Sequence, residues 1–174
     1  MIEVEVKARA PPGIEEKILG IGGVEMGEEA HLDLYFNSPS HDFARTDEAL
    51  RIRIKEEGAD LTYKGPKLDS ETKSRLEVRV RIEDPQAMES ILESVGFSRA
   101  AVVKKRRKKY ALKEAVLCLD DVEGLGAFLE VELAGGEDWW AQKRTALDIM
   151  AKLGISESIR ESYLELLAEG RSGP

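Results

Sequence analysis

The chain has 174 residues and a mass of 19.3 kDa, the size of one domain, and its 42% apolar content suffices for a sizeable core. With 34 acidic against 26 basic residues the net charge is −8, a total that argues against a nucleic-acid or anionic-membrane binder. Residues 51–109, however, hold 16 Lys and Arg against 10 Asp and Glu, while the remainder holds 10 against 24. The total therefore does not exclude a polyanionic ligand if the fold gathers the basic segment around it.

Residues 2–9 alternate Ile2, Val4, Val6 and Ala8 with Glu3, Glu5, Lys7 and Arg9, the period of a strand. Pro11-Pro12 opens a short helix that ends at Gly20, and a weaker strand follows over 30–36. Leu50, Ile52 and Ile54 interleave with Arg51, Arg53 and Lys55, and a further strand is expected over 60–65. Leu76, Val78, Val80 and Ile82 interleave with Arg75, Glu77, Arg79 and Arg81. Asp84 before Pro85 is a helix N-cap, and that helix closes at Gly96. Strands over 100–110, 114–121 and 129–133 complete a set of about eight. Helices over 138–153 and 157–169 stop at Gly154 and Gly170, leaving one domain over 1–170 and a frayed tail over 171–174.

Strands joined by short connections imply a mainly β, α+β domain, an antiparallel sheet closed or nearly closed on itself with helices packed outside. The charged faces then meet water, as in a half-buried sheet, or line a lumen, as in a barrel whose apolar exterior is covered.

Glu3-x-Glu5-x-Lys7 sets two carboxylates and an ammonium on one face, successive members ~6.6 Å apart. Carboxylates that close can share a hard cation such as Mg²⁺. Glu130 and Glu132 repeat the spacing, and Asp120 precedes the turn Glu123-Gly124-Leu125-Gly126. Such a cluster repels itself unless it holds metal or faces water. The cations Arg51, Arg53, Lys64, Lys73, Arg75 and the run Lys104 to Lys109 come from several strands, which suits a ligand with many anionic oxygens. In the run the alternate members Lys105, Arg107 and Lys109 share a face, so half of it is solvated wherever the other half points, and a surface basic patch or a nucleic-acid footprint is the other reading. His31 and His41 lack metal-ligand spacing and suit surface or packing roles, Cys118 reads as a buried strand residue, and Trp139-Trp140 as a cover for the barrel or a subunit interface. No basic stretch precedes an apolar one at the start, and no apolar run approaches the ~20 residues that span a bilayer, so a soluble, cytoplasmic protein is expected.

Glu3-x-Glu5-x-Lys7, Leu50-Arg51-Ile52-Arg53, Thr62-Tyr63-Lys64-Gly65, Lys73-Ser74-Arg75-Leu76-Glu77, Lys105-Arg106-Arg107, Leu119 to Gly126 and Glu130-Val131-Glu132 follow one another in an order that resembles the CYTH superfamily. That superfamily includes CyaB-type (class IV) adenylyl cyclases, thiamine triphosphatases and inorganic triphosphatases. The resemblance implies a closed eight-stranded antiparallel barrel, the triphosphate tunnel, with charges pointing inward. It implies Glu3, Glu5 and Glu130, supported by Glu132, as carboxylates for two Mg²⁺ or Mn²⁺ ions. Arg51, Arg53, Lys64, Lys73, Arg75, Lys105 and Arg107 match the triphosphate cradle, Lys7 the lysine that holds or activates the nucleophile, and Asp120 the acid that orients a neighbour or substrate. Leu76 stands where an acidic residue is frequent and His31 where Gln is, departures taken to lie away from the metal and phosphate set. Asp33 to Arg53 and the intact Glu123-Gly124-Leu125-Gly126 look closest to CyaB-type members, which implies ATP converted to cyclic AMP and pyrophosphate, in a branch where homodimers are common. A triphosphatase acting on inorganic, nucleoside or thiamine triphosphate is the alternative. A non-catalytic polyphosphate- or RNA-binding module is disfavoured, since a pure anion binder gains nothing from carboxylates beside its ligand.

Overall fold

The computed structural model describes residues 2–68, 72–133 and 138–171. In chain order the elements are β1 (Ile2–Arg9), α1 (Ile14–Gly20), β2 (Val24–Asn37), α2 (Phe43–Thr46), β3 (Ala49–Lys55), β4 (Gly58–Lys67), β5 (Arg75–Ile82), α3 (Pro85–Ser94), β6 (Ser98–Leu112), β7 (Ala115–Val122), β8 (Gly126–Leu133), α4 (Trp139–Lys152) and α5 (Tyr163–Arg171). The strands close into a barrel in the order β1-β5-β4-β3-β2-β6-β7-β8, with every neighbouring pair antiparallel. The barrel closes at a short seam, where β1 meets β5 only through Ile2–Leu76 and Glu3–Arg75, while the other neighbouring strands pair over longer ladders.

Tight turns make the closure possible. β7 turns into β8 through Glu123-Gly124-Leu125, where Gly124 has φ 80° and Gly126 φ 86°, conformations that any side chain would strain. Three helices, α2, α3 and α4, start on aspartates: Asp42, Asp84 and Asp138 each accept a hydrogen bond from a backbone N–H of the first turn, at 3.1, 2.9 and 2.9 Å.

The pleat sends one face of each strand inward and the other outward, and most of the outward faces are apolar. One outer core joins Val4, Val6, Leu117, Leu129 and Val131 to Ile18 of α1 and to Ala146, Ile149 and Met150 of α4. A second joins Leu34, Ile52 and Ile82 to Phe43 of α2 and Leu92 of α3. A third closes one end of the barrel, where Tyr163 of α5 packs on Tyr35, Val103, Val122 and Phe128. Cys118 is fully buried, and Trp139 packs on the first core while Trp140 stacks on it from the exposed side. Among the described residues no helix is long and apolar enough to cross a membrane.

Several expected boundaries move. The first helix starts at Ile14 rather than at the prolines, which occupy the preceding coil and turn, and the last starts at Tyr163 rather than 157. Arg171 belongs to α5, while 172–174 lie outside the described residues. The single-turn α2 was not expected, and β2 and β6 are longer than their alternation suggested. The helical cover is also incomplete: on the outer face of β5, Leu76, Val78 and Val80 are 46%, 56% and 54% exposed, because α3 packs on β3 and β6 and α4 on β1 and β8.

The two outer faces should respond differently to substitution. Leu117→Ala, at a fully buried site, should lower the free energy of urea unfolding by about 3 kcal/mol. Val78→Thr should shift it by less than about 0.5 kcal/mol, and equal losses would contradict the two-sector cover.

Candidate functional site

The inward faces build a charged lumen with a cavity of about 370 Å³, within the range of small-molecule sites. Glu3, Glu5, Arg51, Arg53, Lys64, Lys73, Arg75, Lys105, Arg107, Glu130 and Glu132 all line it. These residues come from β1, β3, β4, β5, β6, β8 and the segment just before β5, so only barrel closure could assemble them. In the basic run, Lys105, Arg107 and Lys109 point inward, as strand alternation requires. Lys7 and Asp120 do not line the cavity: both are completely buried behind it.

Two aspartates hold the cradle in shape. Asp33 on β2 accepts from Arg53 Nε at 2.7 Å and Nη2 at 2.6 Å, and lies 3.5 Å from Arg51 Nη1. Burial opposes its ionisation, but Arg53 and Arg51 outweigh it and hold the carboxyl well below the usual range. Asp120 on β7 does the same for β6, accepting from Lys105 Nζ at 2.7 Å and from Arg107 Nε and Nη2 at 2.6 Å each. Tyr163 Oη adds a third donor at 2.9 Å, tying α5 to the lumen wall. Arg107 spans further, to Glu132 Oε1 at 2.7 Å and to Glu130.

The carboxylates divide into groups. Glu5 and Glu130 are buried, and both bond to Lys73. Glu5 is the member raised above the ordinary carboxyl range, by burial and then by the Glu130 charge. Glu130 is held low despite burial, by Lys73, Lys105 and Arg107. Glu3 stands with Lys64, which also meets Glu77 at 2.7 Å, and Glu132 opposes Glu5 across the β1–β8 ladder while bonding to Arg107. Among the described residues no three acidic, His or Cys side chains converge as a formed metal cluster. The Glu5–Glu130 pair nevertheless fits a divalent cation: two buried carboxylates beside one another are oxygen ligands of the kind a hard ion takes, and water or ligand oxygens would complete its shell.

Lys7 donates to the backbone carbonyl of Glu161 and lies 4.3 Å from the centroid of Tyr163, so α5 separates it from the open cavity. Burial, and then repulsion from Lys73, bring its ammonium down to about 7. Arg75 donates to the carbonyls of Gly65 and Asp47, at 3.3 and 3.5 Å.

Sequence reasoning passed over Asp33, Thr62, Glu77 and Tyr163. Asp33 was visible only as a charge breaking an apolar run in β2, while Tyr163 belongs to no motif and reaches the site through chain reversal. Of the surface or packing role expected of His31, its 5% exposure fits packing, but β2 turns it into the lumen wall, among the cations from which it was expected to stay apart. His41, half-exposed, bonds Glu48 at 2.9 Å.

A CYTH domain pattern matches residues 1–163 of the chain. The chain belongs to the CYTH family. A Methanocaldococcus jannaschii relative named as a putative adenylate cyclase is 38% identical over 172 residues, 95% of this chain and 98% of that protein. The adenylate cyclase CyaB of Aeromonas hydrophila is 27% identical over 143 residues, 80% and 72% of the two chains. A solved Pyrococcus horikoshii structure is 42% identical, with a TM-score of 0.91 over 97% of this chain and 99% of its own. The eight-stranded closed barrel of this CYTH chain is thus shared along its whole length.

Removing one strut should expose the charge it compensates. Asp33→Asn leaves Arg51 and Arg53 without their shared carboxylate and should cost about 3 kcal/mol near neutral pH. Because Asp33 titrates below its unfolded value of about 3.9, that difference should be complete above about pH 4 and shrink as the pH falls further. Urea unfolding of both proteins from pH 7 to pH 3 checks it, and a difference that grows in acid would contradict the assignment.

Proposed function

We propose that this CYTH protein is a metal-dependent enzyme that binds a triphosphate in the lumen and converts ATP to cyclic AMP and pyrophosphate. One observation carries the reading: seven predicted cations and the Glu5–Glu130 pair line a single cavity that no strand could form alone. A triphosphate brings about four negative charges, and a buried site must neutralise them. The name of the Methanocaldococcus jannaschii relative supports the cyclase over the hydrolase.

Arg51, Arg53 and Arg107 present planar donor forks that suit phosphate oxygens, while Lys64, Lys73 and Lys105 supply point charge. Asp33 and Asp120 keep those groups aimed inward before ligand arrives, so little reorganisation is needed. Glu5 and Glu130 are the residues that would hold Mg²⁺ or Mn²⁺, with Glu3 and Glu132 nearby in the wall. When bound, such an ion polarises phosphoryl oxygens and neutralises charge on the leaving group. Cyclization requires the ribose 3′-hydroxyl to attack the α-phosphorus, its proton to depart and pyrophosphate to leave. Lys73, bonded to both metal-site carboxylates, is placed to compensate that charge. Lys7 can approach the nucleophile only if the α5 contact at Glu161 and Tyr163 opens.

Product analysis tests the reading. With Mg²⁺ or Mn²⁺ and ATP, the chain should release cyclic AMP and pyrophosphate in equal amounts; orthophosphate without cyclic AMP would establish the triphosphatase instead. Glu5→Gln should lower turnover at least 100-fold and leave tripolyphosphate affinity within about threefold, and unchanged turnover would remove Glu5 from the metal site.

A further inference from the structure

Among the described residues, His31 in the lumen wall has a ring nitrogen with no hydrogen-bond partner. His31 Nε2 lies 2.8 Å from Glu29 Oε2, and Lys109 bonds the other oxygen of that carboxylate. Burial works against ionisation of Glu29, but the hydrogen bonds from His31 and Lys109 hold its carboxyl at about 2. It is therefore an acceptor only, and the hydrogen between the two residues must sit on His31 Nε2. Burial, followed by the Arg53 charge, brings the imidazole down to about 3, so the ring is neutral.

A neutral imidazole protonated at Nε2 carries a bare lone pair at Nδ1, and this buried atom has no hydrogen-bond partner among the described residues. Phosphate oxygens are acceptors too and cannot satisfy it. The Arg51 Nε and Thr62 Oγ1 groups are likewise unpartnered in the same wall, but they can donate and so match phosphate. His31 alone of these three requires a donor. A site built to hydrogen-bond a substrate O–H or N–H rejects analogues that lack it, because its own polar group is left buried and unpaired.

We propose that His31 Nδ1 accepts a hydrogen bond from an O–H or N–H on the non-phosphate part of the triphosphate substrate, with Glu29 fixing the tautomer as a positioning residue. This rests on the triphosphate reading and deepens it: the Glu29–His31 pair distinguishes an organic triphosphate from bare tripolyphosphate.

Calorimetric titrations without divalent metal, so that neither ligand turns over, separate the two claims. His31→Phe should weaken ATP binding about tenfold and leave tripolyphosphate within about twofold. Equal weakening of both ligands, or ATP binding as tight as in the wild-type chain, would overturn the role of His31. Failure of the wild-type chain to bind tripolyphosphate would instead sink the triphosphate reading, and this inference with it. A second measurement needs no variant: imidazole ¹⁵N spectra of the wild-type chain, with His41 as internal reference. His31 Nδ1 should be unprotonated in the free protein and shift on adding ATP but not tripolyphosphate; a protonated Nδ1, or the same shift with both ligands, would contradict it.

Discussion

Charge that a closed barrel turns inward must be neutralised inside the barrel. Arg51, Arg53, Lys73, Lys105 and Arg107 are all nine-tenths or more buried or close to it, and water cannot screen them as it would on an open sheet. Asp33 and Asp120 meet this demand in pairs, each shared by two cations from neighbouring positions of one strand. Glu5 and Glu130 meet it with Lys73, which bonds to both. The lumen thus carries its own counter-ions, and its cations stand in place in a polar, internally compensated wall.

The wall that holds these charges is stabilised from outside. α1 and α4 cover one sector of apolar outer faces and α2 and α3 another, so the polar lumen costs little in lost core. α5 acts differently, because its Tyr163 belongs both to an apolar cluster and to the Asp120 network. Ordering of the last helix is thereby linked to the charges around Lys105 and Arg107. The exposed Leu76, Val78 and Val80 mark where the helical cover ends.

Much of this could be read from the residues. Period-two alternation places Glu3, Glu5, Arg51, Arg53, Arg75, Lys105 and Arg107 on one face of their strands, and the structure keeps every one of them there. Alternation does not say which face is inside; closure decides that, and closure is a property of eight strands together. The long β2 was underestimated because its first part, Val24 to Glu29, carries Glu25, Gly27, Glu28 and Glu29 and shows no sustained apolar alternation. Tyr163 could not be found at all, since its place depends on how the segment after α4 returns across the barrel end. Lys7 and Asp120 share the period of their neighbours, yet depth within the wall, which sequence does not encode locally, sets both behind the cavity.

The central claim is that the cations braced by Asp33 and Asp120 in the lumen bind the oxygens of a triphosphate. The most direct measurement is a crystal structure of the chain with tripolyphosphate. The account predicts the anion in the barrel, within hydrogen-bond distance of Arg51, Arg53, Lys105 and Arg107, with Asp33 and Asp120 still bracing them. An anion held instead by the outward-facing Lys104, Arg106 and Lys108, with the lumen pairs unchanged, would contradict it.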